Sequence, residues 1–273
     1  MIKFSALVSV YAKESPSNFS LCLDSLLSQT LMPDELIIVK DGPLTSDLES
    51  VIQNLNFSGA LITIDLPVNV TQGPARAAGL LAASHEWVAI MDSDDICCKD
   101  RFEKQVRMIE LNPILGIVGG QIDEFKCSPD YPNATKLVPT QHIDICTYAK
   151  KRNPFNHMTI MLNKKAAIEA GNYVYFPWFE DYDLIVRMIN QGVICGNHSE
   201  VLVHARVGNG MYGRRRGISY IKSEWCMQIQ LHRLGLINCF ELCRNLLLRV
   251  PIRLLPSGII ELFYNRILRG GNK

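Results

Sequence analysis

The feature that most restricts the fold is a regular exchange of short apolar runs and helical stretches over the first 92 residues. Ile2, Phe4, Ala6, Val8 and Val10 alternate as in a strand. Ser15-Pro16 then supplies an N-cap and a proline at the first helical position, ahead of Leu23, Leu26 and Leu27 at helical spacing. "ELIIVK" (35–40), "ALITIDL" (60–66) and "WVAIMD" (87–92) read as three further strands, separated by helical stretches at about 45–55 and 73–85. Strands that alternate with helices of this length make βαβ units and a mostly parallel sheet. In such sheets ligands bind beyond the carboxyl ends of the strands.

Two acids fall at such ends, Asp41 and Asp92. The second opens an unusual run, "WVAIMDSDDICC", in which Asp92, Asp94 and Asp95 crowd the tip of a buried-looking strand. Carboxylates that close repel one another and lose water as they are enclosed. Either the tip lies in solvent and caps the next helix, which is the plain expectation for Asp95, or Asp92 and Asp94 await a hard divalent cation such as Mn²⁺ or Mg²⁺.

Other stretches carry weaker signals, each with a plain structural alternative. Asp41, before Gly42, would accept hydrogen bonds from a base or ribose, or simply end a strand in a turn. Gly73-Pro74 opens a helix whose amides would face a phosphate. Arg76 beside it would pair with that phosphate, or stand as a solvated helix charge. The P-loop and dinucleotide fingerprints are absent. In "PWFEDYDL" (177–184), Trp178, Phe179 and Tyr182 surround Glu180 and Asp181. Burial there would raise a carboxylate pKa toward general-base use, unless the acids only complement a helix dipole. His157 and His204 lie on apolar segments, as hydrogen-bonded core residues or as ligands.

Past residue 99 the pattern loosens. A helix is expected near 99–111, a loop over 126–141, and a strand at "NHMTIML". Helices stopped by Gly171 and Gly192 follow, with a last strand at "VLVHARV". Nine cysteines, an odd number without a CxxC, argue for reduced thiols rather than a disulfide framework or zinc knuckle. No signal-peptide core and no apolar run of spanning length is seen.

In order and spacing, "ALVSVYAKE", "PDELIIVKDGP", "NVTQGPARAAGLLAAS", "WVAIMDSDD" and "FEDYDLIVRM" resemble the family 2 glycosyltransferases of GT-A fold, over about residues 4–205. The resemblance implies an α/β fold, with a Rossmann-like, mostly parallel mixed sheet flanked by helices. It implies an inverting, metal-dependent transfer of a hexose, glucose or galactose, from a UDP-sugar to an acceptor hydroxyl. On the matching motifs, Val10, Tyr11 and Glu14 line the nucleotide pocket and Asp41 contacts uracil. Lys40 stands where many members carry a second Asp. Arg76 flanks the nucleotide, Asp92 lies near the ribose, and Asp94, with Asp92 and loosely His204, holds Mn²⁺ or Mg²⁺. Asp181 matches the general base, with Glu180 its neighbour near the acceptor.

Residues 206–273 form a second segment of different character. From Arg206 onward 12 basic residues face 3 acidic ones, which leaves 16 against 24 in residues 1–205. "GRRRG", with Arg214, Arg215 and Arg216, reads as a mobile loop able to meet a diphosphate, or as a solvated charge cluster. Beyond it, Arg244, Arg249, Arg253, Arg266 and Arg269 lie among aliphatics as an amphipathic extension, which Pro251 and Pro256 divide into short pieces. The tail resembles that of bacterial enzymes that build O-antigen or exopolysaccharide on a lipid-diphosphate carrier. Its one-sided charge favours peripheral attachment to the inner face of the cytoplasmic membrane. The alternative is a helical pair packed on the domain or on a second subunit, hence a homodimer. A sugar-nucleotide pyrophosphorylase would need a Gly-rich basic loop after the first strand, where "SVYAKESPSNF" offers none. A noncatalytic nucleotide-sugar-binding protein would be expected to have lost Asp94 or Asp181. An acidic body with an apolar basic tail does not suit nucleic acid.

Overall fold

A computed structural model describes residues 2–208 and 217–254. The first half follows the expected alternation: β1 (Phe4–Val10), α1 (Pro16–Leu27), β2 (Glu35–Lys40), α2 (Ser46–Gln53), β3 (Ala60–Asp65), α3 (Gln72–Ala82) and β4 (Trp87–Asp92). The local signals work as read. Ser15 Oγ accepts from Asn18 N at the start of α1, with Pro16 in the first turn, and Thr45 Oγ1 accepts from Leu48 N at the start of α2.

The second half is less regular: β5 (Ile96–Cys97), α4 (Arg101–Leu111), β6 (Leu115–Phe125), β7 (Ala134–Lys136) and α5 (His142–Ala149). Then come β8 (Met161–Asn163), α6 (Lys164–Glu169), α7 (Glu180–Asn190) and β9 (Ile194–Arg206). The helices α8 (Gly217–Arg233) and α9 (Cys239–Leu254) complete the described chain. One sheet collects the strands in the order β3-β2-β1-β4-β8-β6-β9-β5, with β7 on β6. The β3–β2–β1–β4 half is parallel, and β8 joins it antiparallel to both β4 and β6.

Strand alternation sorts the core into two layers. Leu7, Ile37, Val39, Val88 and Ile90 face one side, with α3, α5, α7 and α8. Phe4, Ala6, Val8, Leu36, Ile38 and Met91 face the other, with α1, α2 and α4. β1, β2 and β4 are apolar on both faces because each face is covered, whereas β3, at the sheet edge, stays largely exposed.

Several sequence expectations are corrected. The stretch "NHMTIML" is a strand only from Met161. His157–Thr159 make a 3₁₀ turn, held by Thr159 Oγ1 on Asn156 O at 2.7 Å and by Asn156 Nδ2 on Gly120 O at 2.9 Å. The loop over 126–141 contains β7, and the last strand begins at Ile194, seven residues earlier than its apolar half suggests. Pro251 does not break the tail: α9 runs through it to Leu254. The proline removes only the one donor to the Leu247 carbonyl, on the exposed side of the helix. Pro256 and the arginines 214–216, 266 and 269 lie outside the described residues.

The tail helices share the core of the body. Tyr220, Met227, Leu231 and Ile237 are buried in the same cluster as α7. At roughly 1.5–3 kcal/mol for each fully buried aliphatic side chain, this contact holds α8 firmly. The arginines of α9 turn inward rather than outward. Arg249 Nη1 pairs with the fully buried Glu224 at 2.6 Å, Arg253 Nη2 approaches the same carboxylate at 3.6 Å, and Arg244 Nη2 donates to Asn245 Oδ1. All nine cysteines are free. Among the described residues no helix is long and apolar enough to cross a membrane.

Candidate active site

Parallel pairing sets Val10 beside Lys40 and Ser9 beside Asp92, so the ends of β1, β2 and β4 open on one edge. Val10 is itself buried and meets the site through its carbonyl, which accepts Asp41 N–H at 2.8 Å; Tyr11 is exposed beside it. Glu14 is held on two sides. It accepts Ser15 N–H at 2.8 Å and Ser93 Oγ at 2.9 Å, which ties the first loop to the Asp-rich tip.

Asp41 is buried, and burial raises its pKa. Its Oδ2 accepts Asn69 Nδ2 at 2.9 Å and its Oδ1 accepts Val70 N–H at 2.6 Å. The carboxylate therefore stitches the end of β2 to the segment leading into α3. Gly42 makes that approach feasible: φ is +86°, and a Cβ would lie 2.8 Å from Asn69 N. Thr71, in the same segment, is held at φ 75°. Strain of this kind tends to mark functional loops.

At the tip, Asp92 and Asp94 face the opening while Asp95 is buried. Asp95 does not start a helix. Its Oδ1 accepts Arg206 N–H at 2.7 Å and so anchors the end of β9, and Arg206 Nε donates to Asp94 O at 3.1 Å. Burial, then repulsion from Asp92 and Glu14, pushes the Asp94 carboxyl up to about 7. Burial, then its two aspartate neighbours, raises Asp95 well above the usual carboxylate range.

Arg76 links this tip to the far wall. It is buried on α3, with Nη2 at 2.6 Å from Asp92 Oδ1 and Nη1 at 3.4 Å from Glu180 Oε1. It is not a solvated helix charge. Among the described residues its buried Nε has no partner. Gly73 brings the start of α3 against this wall, where a Cβ would lie 2.5 Å from Val174 O and 3.1 Å from Glu180 Cβ.

Glu180 and Asp181 form the first turn of α7. Burial is the first cause raising both carboxyls, and Glu180 reaches about 7 with Asp181 beside it. Asp181 Oδ1 accepts Tyr182 N–H at 2.7 Å, and Oδ2 accepts Asn153 Nδ2 at 2.8 Å. Asn153 in turn takes Phe155 N–H on its own Oδ1 at 3.0 Å, which fixes which end of the amide faces the carboxylate. Asn153 and Arg206 are the site residues that sequence reading misses. A polar residue before a proline, or at the end of a strand, carries no distinguishing pattern.

His157 and His204 lie apart from this centre. His157 Nε2 bonds Tyr173 OH at 2.9 Å, a buried core pair, and burial holds its pKa well below the usual value. His204 Nε2 faces Cys98 Sγ at 3.5 Å. Among the described residues no group of three or more His, Cys, Asp and Glu is arranged to hold a metal ion. The oxygen donors Asp92 and Asp94, with Asp94 raised by burial and then by repulsion from Asp92 and Glu14, suit a hard cation that takes its remaining ligands from a bound phosphate.

Comparison with known proteins gives the family and the fold. The family signature described as Glycosyl transferase family 2 matches residues 5–171. The amylovoran biosynthesis glycosyltransferase AmsE of Erwinia amylovora is 37% identical over 98% of this chain and 100% of its own length. An Escherichia coli UDP-Gal:α-D-GlcNAc-diphosphoundecaprenol β-1,3-galactosyltransferase is 33% identical over 98% of this chain and 97% of its own length. Among solved structures, the mannosyltransferase PcManGT of Pyrobaculum calidifontis, in complex with GDP-Man and Mn²⁺, superposes with a TM-score of 0.65. It shares 15% identity, over 99% of this chain and 76% of that one. The α/β architecture, a mixed sheet flanked by helices, is the GT-A fold.

Proposed function

The chain belongs to glycosyl transferase family 2, and on that premise we propose that it transfers a hexose from a UDP-sugar to a hydroxyl of a polyprenyl-diphosphate-linked sugar. Galactose is placed ahead of glucose, after the donor in the Escherichia coli relative's name. The product would extend an O-antigen or exopolysaccharide repeat, a reading supported by the relative named for amylovoran biosynthesis. The observation that carries this reading is the Arg76 bridge, one buried guanidinium touching both the strand-end Asp92 and the Glu180 that precedes Asp181. In this reading it links the nucleotide-side acid to the pair that holds the base.

In this reading Asp181 takes the proton of the acceptor hydroxyl as its oxygen attacks the anomeric carbon. The bond from that carbon to the diphosphate breaks, and its electron pair leaves with UDP. One base and no nucleophile make a single displacement, so an α-linked donor yields a β-linkage. Asn153 and the Tyr182 amide hold the Asp181 carboxylate toward the acceptor. Glu180 stands beside it at the acceptor side. Arg76 and the amides at the start of α3 favour the negative charge of the diphosphate. Asp94 and Asp92 would hold Mn²⁺ or Mg²⁺, an ion that stabilises charge on a departing diphosphate. Tyr11, Glu14 and Asp41 would frame the uridine, and His204 is left without a part because it faces Cys98. The basic tail would keep the enzyme peripherally on the inner face of the cytoplasmic membrane, where such acceptors reside.

The test is transfer from UDP-galactose, UDP-glucose and UDP-N-acetylglucosamine, with Mn²⁺ or Mg²⁺ or after chelation, to a synthetic GlcNAc-α-diphosphate lipid. The proposal expects a β-linked hexose by mass and NMR, strongest with UDP-galactose and lost on chelation. An α-linked product, or turnover confined to GDP-sugars, would contradict it.

A further inference from the structure

The reading above brings the enzyme to a membrane, and the tail arginines were the sequence's reason for it. The structure removes three of them from that role: Arg244, Arg249 and Arg253 face Asn245 and Glu224. What the two tail helices turn outward is apolar instead. On α8, Ile218 and Trp225 are 71% and 52% exposed, at a spacing of seven residues. On α9, Phe240, Leu247 and Leu248 are 76%, 74% and 63% exposed, at spacings that keep them on one arc of the helix. Two packed helices that each expose an apolar arc suit an interaction surface.

Charge identifies which one. Lys222 and Arg233 are exposed on the same arc of α8 as Trp225. Lys151 and Arg152 are exposed beside α9, tied to it where Asn245 Nδ2 donates to Lys150 O at 3.1 Å. Of the two carboxylates between residues 217 and 254, one is withdrawn from this surface and the other is tied to the start of α9. Glu224 is fully buried, and Glu241 accepts Asn238 N–H at 3.0 Å. An apolar band whose rim carries four exposed cations against the one half-exposed Glu241 fits anionic lipid headgroups over acyl chains.

This surface is continuous with the catalytic wall. Tyr220, two residues after Ile218, packs against Trp178 and Phe179 with ring centroids 5.5 Å apart in each case. The guanidinium of Arg253 lies 4.6 Å over the same Tyr220 ring. Trp178, held at φ 65° and 42% exposed, immediately precedes Phe179 and the Glu180–Asp181 turn.

We propose that the outward face of α8 and α9, centred on Trp225, Phe240, Leu247 and Leu248 and rimmed by Lys222 and Arg233, is the surface that seats the enzyme on an anionic lipid bilayer. Seated so, its Trp178 edge turns the catalytic wall toward an acceptor whose lipid lies in the same leaflet. The inference rests on the lipid-linked acceptor reading and adds the residues that meet the lipid.

The test is co-sedimentation of the full chain with vesicles of phosphatidylethanolamine and phosphatidylglycerol, or of phosphatidylcholine alone. The triple variant Phe240→Ser, Leu247→Ser, Leu248→Ser alters exposed positions only and should keep the fold by circular dichroism. It should lose about tenfold or more in vesicle affinity. Lys222→Glu with Arg233→Glu should weaken binding to the anionic vesicles and leave the phosphatidylcholine baseline unchanged. Pelleting of the triple variant at the wild-type level overturns the proposal. So does light scattering that shows a wild-type dimer, a monomeric triple variant and equal vesicle binding, since the face would then be a subunit interface. Galactose transfer to a short-chain, water-soluble GlcNAc-diphosphate separates the two readings. The triple variant should match the wild type there, whereas an inactive wild type would sink the catalytic reading and leave the vesicle result standing.

Discussion

Replacing Arg76 with methionine keeps most of the side-chain volume and removes the one charge that joins the two walls of the cleft. The side chains of Arg76, Asp92 and Glu180 are 4%, 22% and 13% exposed, so solvent screens this pair of contacts weakly. Taking one partner from a buried ion pair typically costs about 3–5 kcal/mol, because the remaining charge stays buried. The low end applies here, since Asp92 keeps some contact with water and Glu180 can escape by taking a proton. For a chain of this size about 3 kcal/mol corresponds to roughly 6–12 °C in Tm. The cost should also depend on pH. The Glu180 carboxyl is raised from its ordinary 4.5 to about 7, so the folded state binds more protons than the unfolded state between those values. Stability from this group therefore falls as pH rises through that window, and Arg76 offsets the fall by favouring the ionised form. Without Arg76 the deficit should be larger at pH 8 than at pH 6. Thermal unfolding of wild type, Arg76→Met and Arg76→Lys at both pH values measures it, with the lysine expected in between. A methionine variant as stable as wild type at pH 8, or equally weakened at both pH values, would refute the bridge as the organising contact.

Asn153→Ala removes a hydrogen bond to the ionised Asp181, worth about 1.5–3 kcal/mol for a charged acceptor, and should raise the acidic limb of the kcat/KM profile by about one to two pH units. A profile that falls in height without moving would mean that Asn153 only supports the fold. Glu224→Leu strips Arg249 and Arg253 of their buried counter-ion, and should destabilise the α8–α9 pair by about 3 kcal/mol, read as earlier loss of amide-exchange protection there than in the sheet.

The legible part of this molecule is the part where local pattern and burial agree. β1, β2 and β4 are covered on both faces, and their apolar runs announce it; the acids Asp41 and Asp92 mark the edge on which these strands end. The Ser15 cap behaved as its residue type dictates. The pattern fails where tertiary contacts decide. β5 is two residues long and exists because β9 pairs with it. The helix α5 is only eight residues long, and its core contact comes through Ile145 and Ala149 with Cys146 beside them. The same holds for the site. Glu180 and Asp181 could be named from their aromatic neighbours, but Asn153 is 28 positions from the carboxylate it orients. The arginines of α9 show the opposite error. Arginine among leucines resembles an interfacial helix, and only the buried Glu224, two helices' contact away, reveals that the charges point inward.

The central claim is that Asp181 removes the acceptor proton in a cleft whose opposite wall binds the UDP-sugar. Asp181→Asn tests it most directly, because the amide can keep the Tyr182 N–H bond while losing basicity. Galactose transfer to the synthetic GlcNAc-diphosphate lipid should fall by about a hundredfold or more, within the span typical of a lost general base. UDP-galactose affinity by calorimetry should stay within a few-fold of wild type. Near-normal turnover with intact donor binding would contradict the account.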